Sequence, residues 1–123
     1  MPILDDLNAH RLKIATIYKI NFKDSGVFPV PENATPVYTR FPILAGPTPI
    51  PKELKKLGVR RMYPQSIADV DTIKPHLADP QAKTPGASKI ARNLITLPTH
   101  KGITENLAKE IAHKVITAYK PTN

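Results

Sequence analysis

Side chains that could do chemistry are sparse and mostly isolated along these 123 residues. Four histidines, His10, His76, His100 and His113, are the candidates for metal ligation or proton transfer. Three of them have no carboxylate or second histidine at a ligand-like spacing. His113 follows Glu110 by three residues, but one Glu-x-x-His on a helix is a single corner of a site that needs several such pairs. No metal site is predicted. Ser25, Ser66 and Ser88 lack the glycine-flanked turn that exposes a nucleophilic serine, which argues against a hydrolase. The chain has no cysteine, so thiolate nucleophiles, thiolate metal sites and disulfides are excluded. Its five scattered glycines match neither the dinucleotide-binding nor the P-loop spacing.

Three local patterns remain. His100-Lys101-Gly102 precedes a helix start, where free amides can hold an anion. The stronger reading is that Thr99, His100 and Thr104 satisfy their own turn. Tyr63-Pro64 follows a predicted strand, so the tyrosine hydroxyl either reaches into a cleft or the ring covers the edge of the core. Lys52, Lys55, Lys56, Arg60 and Arg61 form the one concentration within a net charge of +8, which favours an acidic partner at long range. Glu53 interrupts this patch, and only Tyr63 is near enough to stack on a base. A solvated helix face therefore outweighs a nucleic-acid surface.

The elements that must position these residues can be read in order. Leu4, Leu7, Ile14, Tyr18 and Phe22 make one apolar stripe, which predicts a helix over 4–22. Asp5 and Asp6 near its start and Lys19 and Lys23 near its end suit the helix dipole. Asp24-Ser25-Gly26 stops it. A helix this exposed on its other faces points to a neighbour outside the chain. Eight of the 14 prolines fall between Pro29 and Pro64, which rules out a long helix there. Alternation from Val37 to Leu44 predicts a strand, with Pro42 confined to an edge or bulge. Pro51 opens a short helix over Lys52–Leu57, Gly58 caps it, and Val59–Met62 returns as a second strand. Tyr63 to Pro85 reads as a long loop with a helical turn. Ala87, Ile90, Ala91 and Leu94 space as a helix, and Ile95–Leu97 as a strand. Thr104 caps a last helix whose stripe is Leu107, Ile111, Val115 and Ala118 or Tyr119, with Pro121 ending it.

The expected architecture is α+β. A small antiparallel or mixed sheet of about three strands carries helices packed on it, in one domain over residues 1–123 with its α+β core over 37–119. A length of 123 residues suffices for a single core, and the absence of Trp makes that core mostly aliphatic. No run approaches the roughly 20 apolar residues of a membrane span. Asp5-Asp6 replaces the basic, apolar start of an export signal, so a soluble, cytoplasmic chain is expected.

The order of motifs then carries a resemblance. HRLKIATIY, with Arg11, Ala15 and Tyr18, is followed by PVYTRFPIL, by LKKLGV ending at Val59, and by Tyr63-Pro64. PGASKIARNL and ITLPTHKGIT close the series. From about Leu4 to Tyr119 the chain resembles the C-terminal third of the DegT/DnrJ/EryC1/StrS family of pyridoxal-phosphate-dependent aminotransferases, many of which act on nucleotide-linked keto-sugars. The resemblance implies a fold like the small C-terminal domain of fold-type I transferases. It also implies that the lysine, the acid and most phosphate ligands for the cofactor lie in a preceding large domain. No catalytic or cofactor-binding residue is therefore assigned to this chain, and pyridoxal phosphate is expected only in full-length relatives. Where the family often has a histidine near the tyrosine, Gln65-Ser66-Ile67 follows Tyr63 here. Tyr63 and His100 match family positions near the cleft and are the substrate or interface candidates. The implied partner is a cofactor-binding large domain, in cis or in trans, with a homodimer as a further option and no membrane or nucleic acid. The alternative is a stand-alone binding module for a polyanion or a partner protein, using the Lys52–Arg61 surface.

Overall fold

Helix α1 spans Pro2–Phe22 in a computed structural model that describes residues 2–119. Its stripe is continuous, but only the second half reaches the core. Ile14, Ala15, Tyr18 and Phe22 are buried, whereas Leu4 is 48% exposed and Leu7 half-buried. The helix packs on α4 (Glu105–Tyr119), so the two ends of the fold lie side by side. Helix α4 buries Ala108, Ile111, Ala112 and Val115, with Leu107 at the margin and Ala118 exposed. Thr104 caps it as expected: its hydroxyl accepts the Leu107 amide at 3.1 Å, an N-cap to N3 bond. Pro121, expected to end this helix, lies outside the described residues.

The sheet is smaller than about three strands. Strand β1 (Arg40–Leu44) pairs antiparallel with β2 (Leu94–Pro98), Phe41 opposite Leu97 and Ile43 opposite Ile95. These four side chains are buried with Ile14, Tyr18, Phe22, Ile111 and Val115 in the main core. Tyr18 and Phe41 rings meet at 5.4 Å, and Phe22 stacks on Phe41 at 6.5 Å. Strand β1 starts at Arg40 rather than Val37 because Tyr38 is in the left-handed region, φ 54°, which breaks an extended run. Opposite Pro42 stands Thr96, whose amide and carbonyl both bond to Arg60. The missing Pro42 donor therefore faces away from β2, where a proline costs no ladder bond.

The expected strand Val59–Met62 is reduced to one bridge, Arg60 with Thr96. Arg60 exchanges both backbone bonds with Thr96 at 3.0 and 2.8 Å. Two residues further, the Leu94 carbonyl that a continuing strand would need accepts from the Arg61 guanidinium instead. A side chain thus ends the ladder. Between β1 and this bridge lies α2 (Lys52–Lys56), closed by Gly58 at φ 98°. The loop from Tyr63 to Thr84 contains two short 3-10 turns, Ile67–Asp69 and Lys74–His76, and it leads into α3 (Pro85–Asn93).

Candidate functional site

The stretch from Pro98 to Ile103 gathers bonds from Tyr18, His10, Thr99 and His100. The Pro98 carbonyl accepts the Tyr18 hydroxyl at 2.7 Å, a buried bond across 80 residues. Burial holds the Tyr18 phenol well above its usual range, with the nearby Arg40 charge pulling the other way. Thr99, 1% exposed, donates to the Tyr38 carbonyl at 2.6 Å and lies 3.0 Å from that of Thr39. The His100 carbonyl accepts from the Ile103 amide at 2.9 Å and from His10 Nε2 at 3.1 Å. His100 Nδ1 accepts the Gly102 amide at 3.1 Å, which leaves the proton of the neutral ring on Nε2. The turn therefore uses its own polar atoms, and Gly102 N–H is not free for an anion. His100 itself is exposed, with Nε2 the polar atom left for an outside contact.

Tyr63 lies elsewhere. It is 57% exposed and lines an apolar groove of about 710 Å³ between the 63–84 loop and α3, with Ile67, Leu77, Ala87 and Ile90. It shares a hollow with Arg61, Ala91 and Arg92 beside the α3–β2 junction, whereas His100 follows the end of β2. Five strand residues, on the order of 15 Å, separate the two ends. The structure does not bring the two candidates into one site. A second apolar hollow, about 320 Å³, is built by the proline-rich segment 27–36 against Tyr38 and Phe41. Lys19 Nζ stands 5.2 Å over the Tyr38 ring.

The five basic residues divide by role. Arg61 donates to the carbonyls of Gly46, Thr48, Arg92 and Leu94, and so ties the loop before α2 to the α3–β2 junction. Arg60 donates to the carbonyls of Lys55 and Val59. Lys52, Lys55 and Lys56 are exposed on α2. Two of the five guanidinium or ammonium groups are thus committed to the fold, and the polyanion reading rests on the three lysines. Near Arg61, burial raises the Tyr119 phenol above its usual range, with the guanidinium pulling the other way through its charge and a hydrogen bond.

One cluster has no counterpart in the sequence reading. Asp69 Oδ2 accepts the hydroxyls of Ser88 at 2.6 Å and Ser66 at 2.7 Å, and the two serine oxygens are 3.3 Å apart. These two donors, Ser88 first, hold the Asp69 carboxyl below the usual carboxylate range. Ser66-x-x-Asp69 opening a helical turn was the legible half of it. Ser88, 19 residues on, had no local signal.

The two apolar hollows do not suit pyridoxal phosphate. The cofactor needs a lysine for its aldehyde and cations or amides for its phosphate. Neither apolar hollow is lined by a lysine or an arginine. Among the described residues no group of three or more His, Asp or Glu could hold a metal ion. No described helix is long and apolar enough to cross a membrane.

The model of the DegT/DnrJ/EryC1/StrS aminotransferase family matches residues 1–116. A solved DegT DnrJ EryC1 StrS aminotransferase from Brucella abortus shares the fold with a TM-score of 0.75 at 17% identity. The match covers 96% of this chain but 32% of that one, so the chain spans about a third of that relative's length. A search of curated proteins finds no match. By its sequence over nearly the whole length, the chain belongs to the DegT/DnrJ/EryC1/StrS aminotransferase family.

Proposed function

We propose that this chain is the C-terminal domain of a pyridoxal-phosphate-dependent, nucleotide-sugar aminotransferase-like protein. There it covers the active-site cleft and helps shape the substrate pocket; by itself it does not catalyse. The observation that carries this reading is the unequal coverage, 96% of this chain against 32% of the solved relative. A domain that accounts for about a third of such an enzyme leaves the remaining two-thirds to supply the cofactor's lysine, acid and phosphate ligands.

In this role the chain's own residues position and exclude. Tyr63 and the exposed Nε2 of His100 are the groups offered to the outside. Being at opposite ends of β2, they would touch different parts of a partner. The test uses the purified chain with added pyridoxal phosphate, an amino donor and a nucleotide-linked keto-sugar. The expected result is no visible absorbance of lysine-bound cofactor and no amino transfer. The same chain added to a separately expressed cofactor-binding domain is expected to form a complex. Stoichiometric lysine-bound cofactor and turnover by the chain alone would overturn the proposal.

A further inference from the structure

The loop 63–84 and α3 form a layer outside the main core. No residue of the loop belongs to the core cluster, and neither does any residue of α3. Within the loop only Ser66 is buried; its apolar members Ile67 and Ile73 are 68% and 37% exposed. Backbone bonds inside the loop are confined to its own turns, such as Asp69 to Ser66, Lys74 to Val70 and Leu77 to Lys74. Hydrophobic burial therefore does little to fix where the loop lies against α3. Among the described residues, the side-chain hydrogen bonds joining the two all pass through Ser88, to Asp69 and to Ser66. The loop and α3 are also the two walls of the 710 Å³ apolar groove.

We propose that the Asp69 carboxylate is a latch that holds the 63–84 loop as a strap against α3 and so sets the width of the apolar groove. One carboxylate oxygen accepting two hydroxyls is a charge-assisted tie, stronger than a neutral pair and directional. It joins the strap at Ser66 and Asp69 to one turn of α3 at Ser88. Release of this single point frees a wall that the core does not hold, and the groove opens while the domain stays folded. The groove is an adjustable surface, its width fixed at rest by a contact within the chain. Local openings of this kind are drawn from the least buried units of a fold.

The test is hydrogen exchange read by mass spectrometry on the intact chain, with Asp69→Ala, Ser88→Ala and Ser88→Thr. Removing the carboxylate or the α3 hydroxyl is expected to raise exchange in segment 66–78 and the first turns of α3 by roughly tenfold. Exchange in α1, β2 and α4 stays as in the parent. Ser88→Thr, which keeps the hydroxyl, restores slow exchange. Binding of a hydrophobic dye rises in the two alanine variants and returns toward the parent level with threonine. Unchanged exchange of the strap in Asp69→Ala would overturn the latch. So would faster exchange throughout the chain, which would make the cluster part of global stability. A Ser88→Thr variant as loose as Ser88→Ala would overturn it too, because the hydroxyl would then not be the tie.

Discussion

Tyr18 shows how a single residue carries both packing and polarity. Its ring fills the core against Phe41 and its hydroxyl reaches the Pro98 carbonyl. Since burial holds the folded phenol above its usual range, the protein favours the neutral form. That contribution is fully present below about pH 10 and is lost as pH rises through the folded value. Thermal unfolding between pH 8 and 12 should show the parent losing stability more steeply above about pH 10 than Tyr18→Phe. At neutral pH the phenylalanine variant should be weaker by about 1–3 kcal/mol, because the Pro98 carbonyl is left buried without its donor. Thr99→Val removes the donor to the Tyr38 carbonyl and should cost a similar ~1–3 kcal/mol in denaturant unfolding. Part of this was legible: Leu-Pro-Thr-His stood out before a helix, and His100 and Thr104 satisfy their own turn as expected, whereas Thr99 bonds Tyr38 and Thr39 instead. What local sequence could not give were the partners 60 and 80 residues away, since no spacing rule links Thr99 to Thr39 or Pro98 to Tyr18.

At the scale of elements, helices were easier to read than strands. The stripes of α1 and α4 and the Thr104 cap lie on single segments, where periodicity is local. The strand expected over Val59–Met62 looked as good as β1, yet the Arg61 side chain took the carbonyl it needed. Side-chain competition for a ladder bond has no sequence signature. Arg61→Met, which keeps length but no donors, should destabilise the chain by about 1–3 kcal/mol and loosen the 46–48 loop in hydrogen exchange. Charge reversal confined to Lys52, Lys55 and Lys56 separates the polyanion reading from this structural one. If that reading holds, filter binding of a polyanion falls and its salt dependence weakens, while stability is unchanged. Gly26 marks the other limit of β1: at φ 72°, a Cβ there would sit 2.6 Å from the Leu44 oxygen. Gly26→Ala should cost about 1–3 kcal/mol, visible as a lower melting temperature.

For the molecule as a whole, the division between core and surface separates two kinds of apolar residue. Ile111 is fully buried, and Ile111→Ala should cost about 2–5 kcal/mol in denaturant unfolding. Ile3 and Leu4 continue the α1 stripe but are 76% and 48% exposed, so polar replacements there should change stability by no more than about 0.5 kcal/mol. If the chain is one domain of a larger enzyme, those same replacements should weaken association with the cofactor-binding domain in a pull-down with purified components. A sequence stripe does not tell which of its residues the chain covers by itself. The fold's outline was legible from motif order, and the boundary between covered and uncovered apolar surface was not.

The pairing of α1 with α4 sets the order in which the domain can be made. The first helix rests on the last, and β1 waits for β2, which emerges some fifty residues later. Tyr18, Phe22 and Phe41 meet one another within the first half of the chain, but Ile95, Leu97, Ile111 and Val115, which complete their core, come only with the second. The aromatic cluster of Tyr18, Phe22 and Phe41 therefore stays open on one side until β2 and α4 close over it. Pairings this distant in sequence, α1 with α4 and β1 with β2, place the domain among folds whose closure is slowed by long loops.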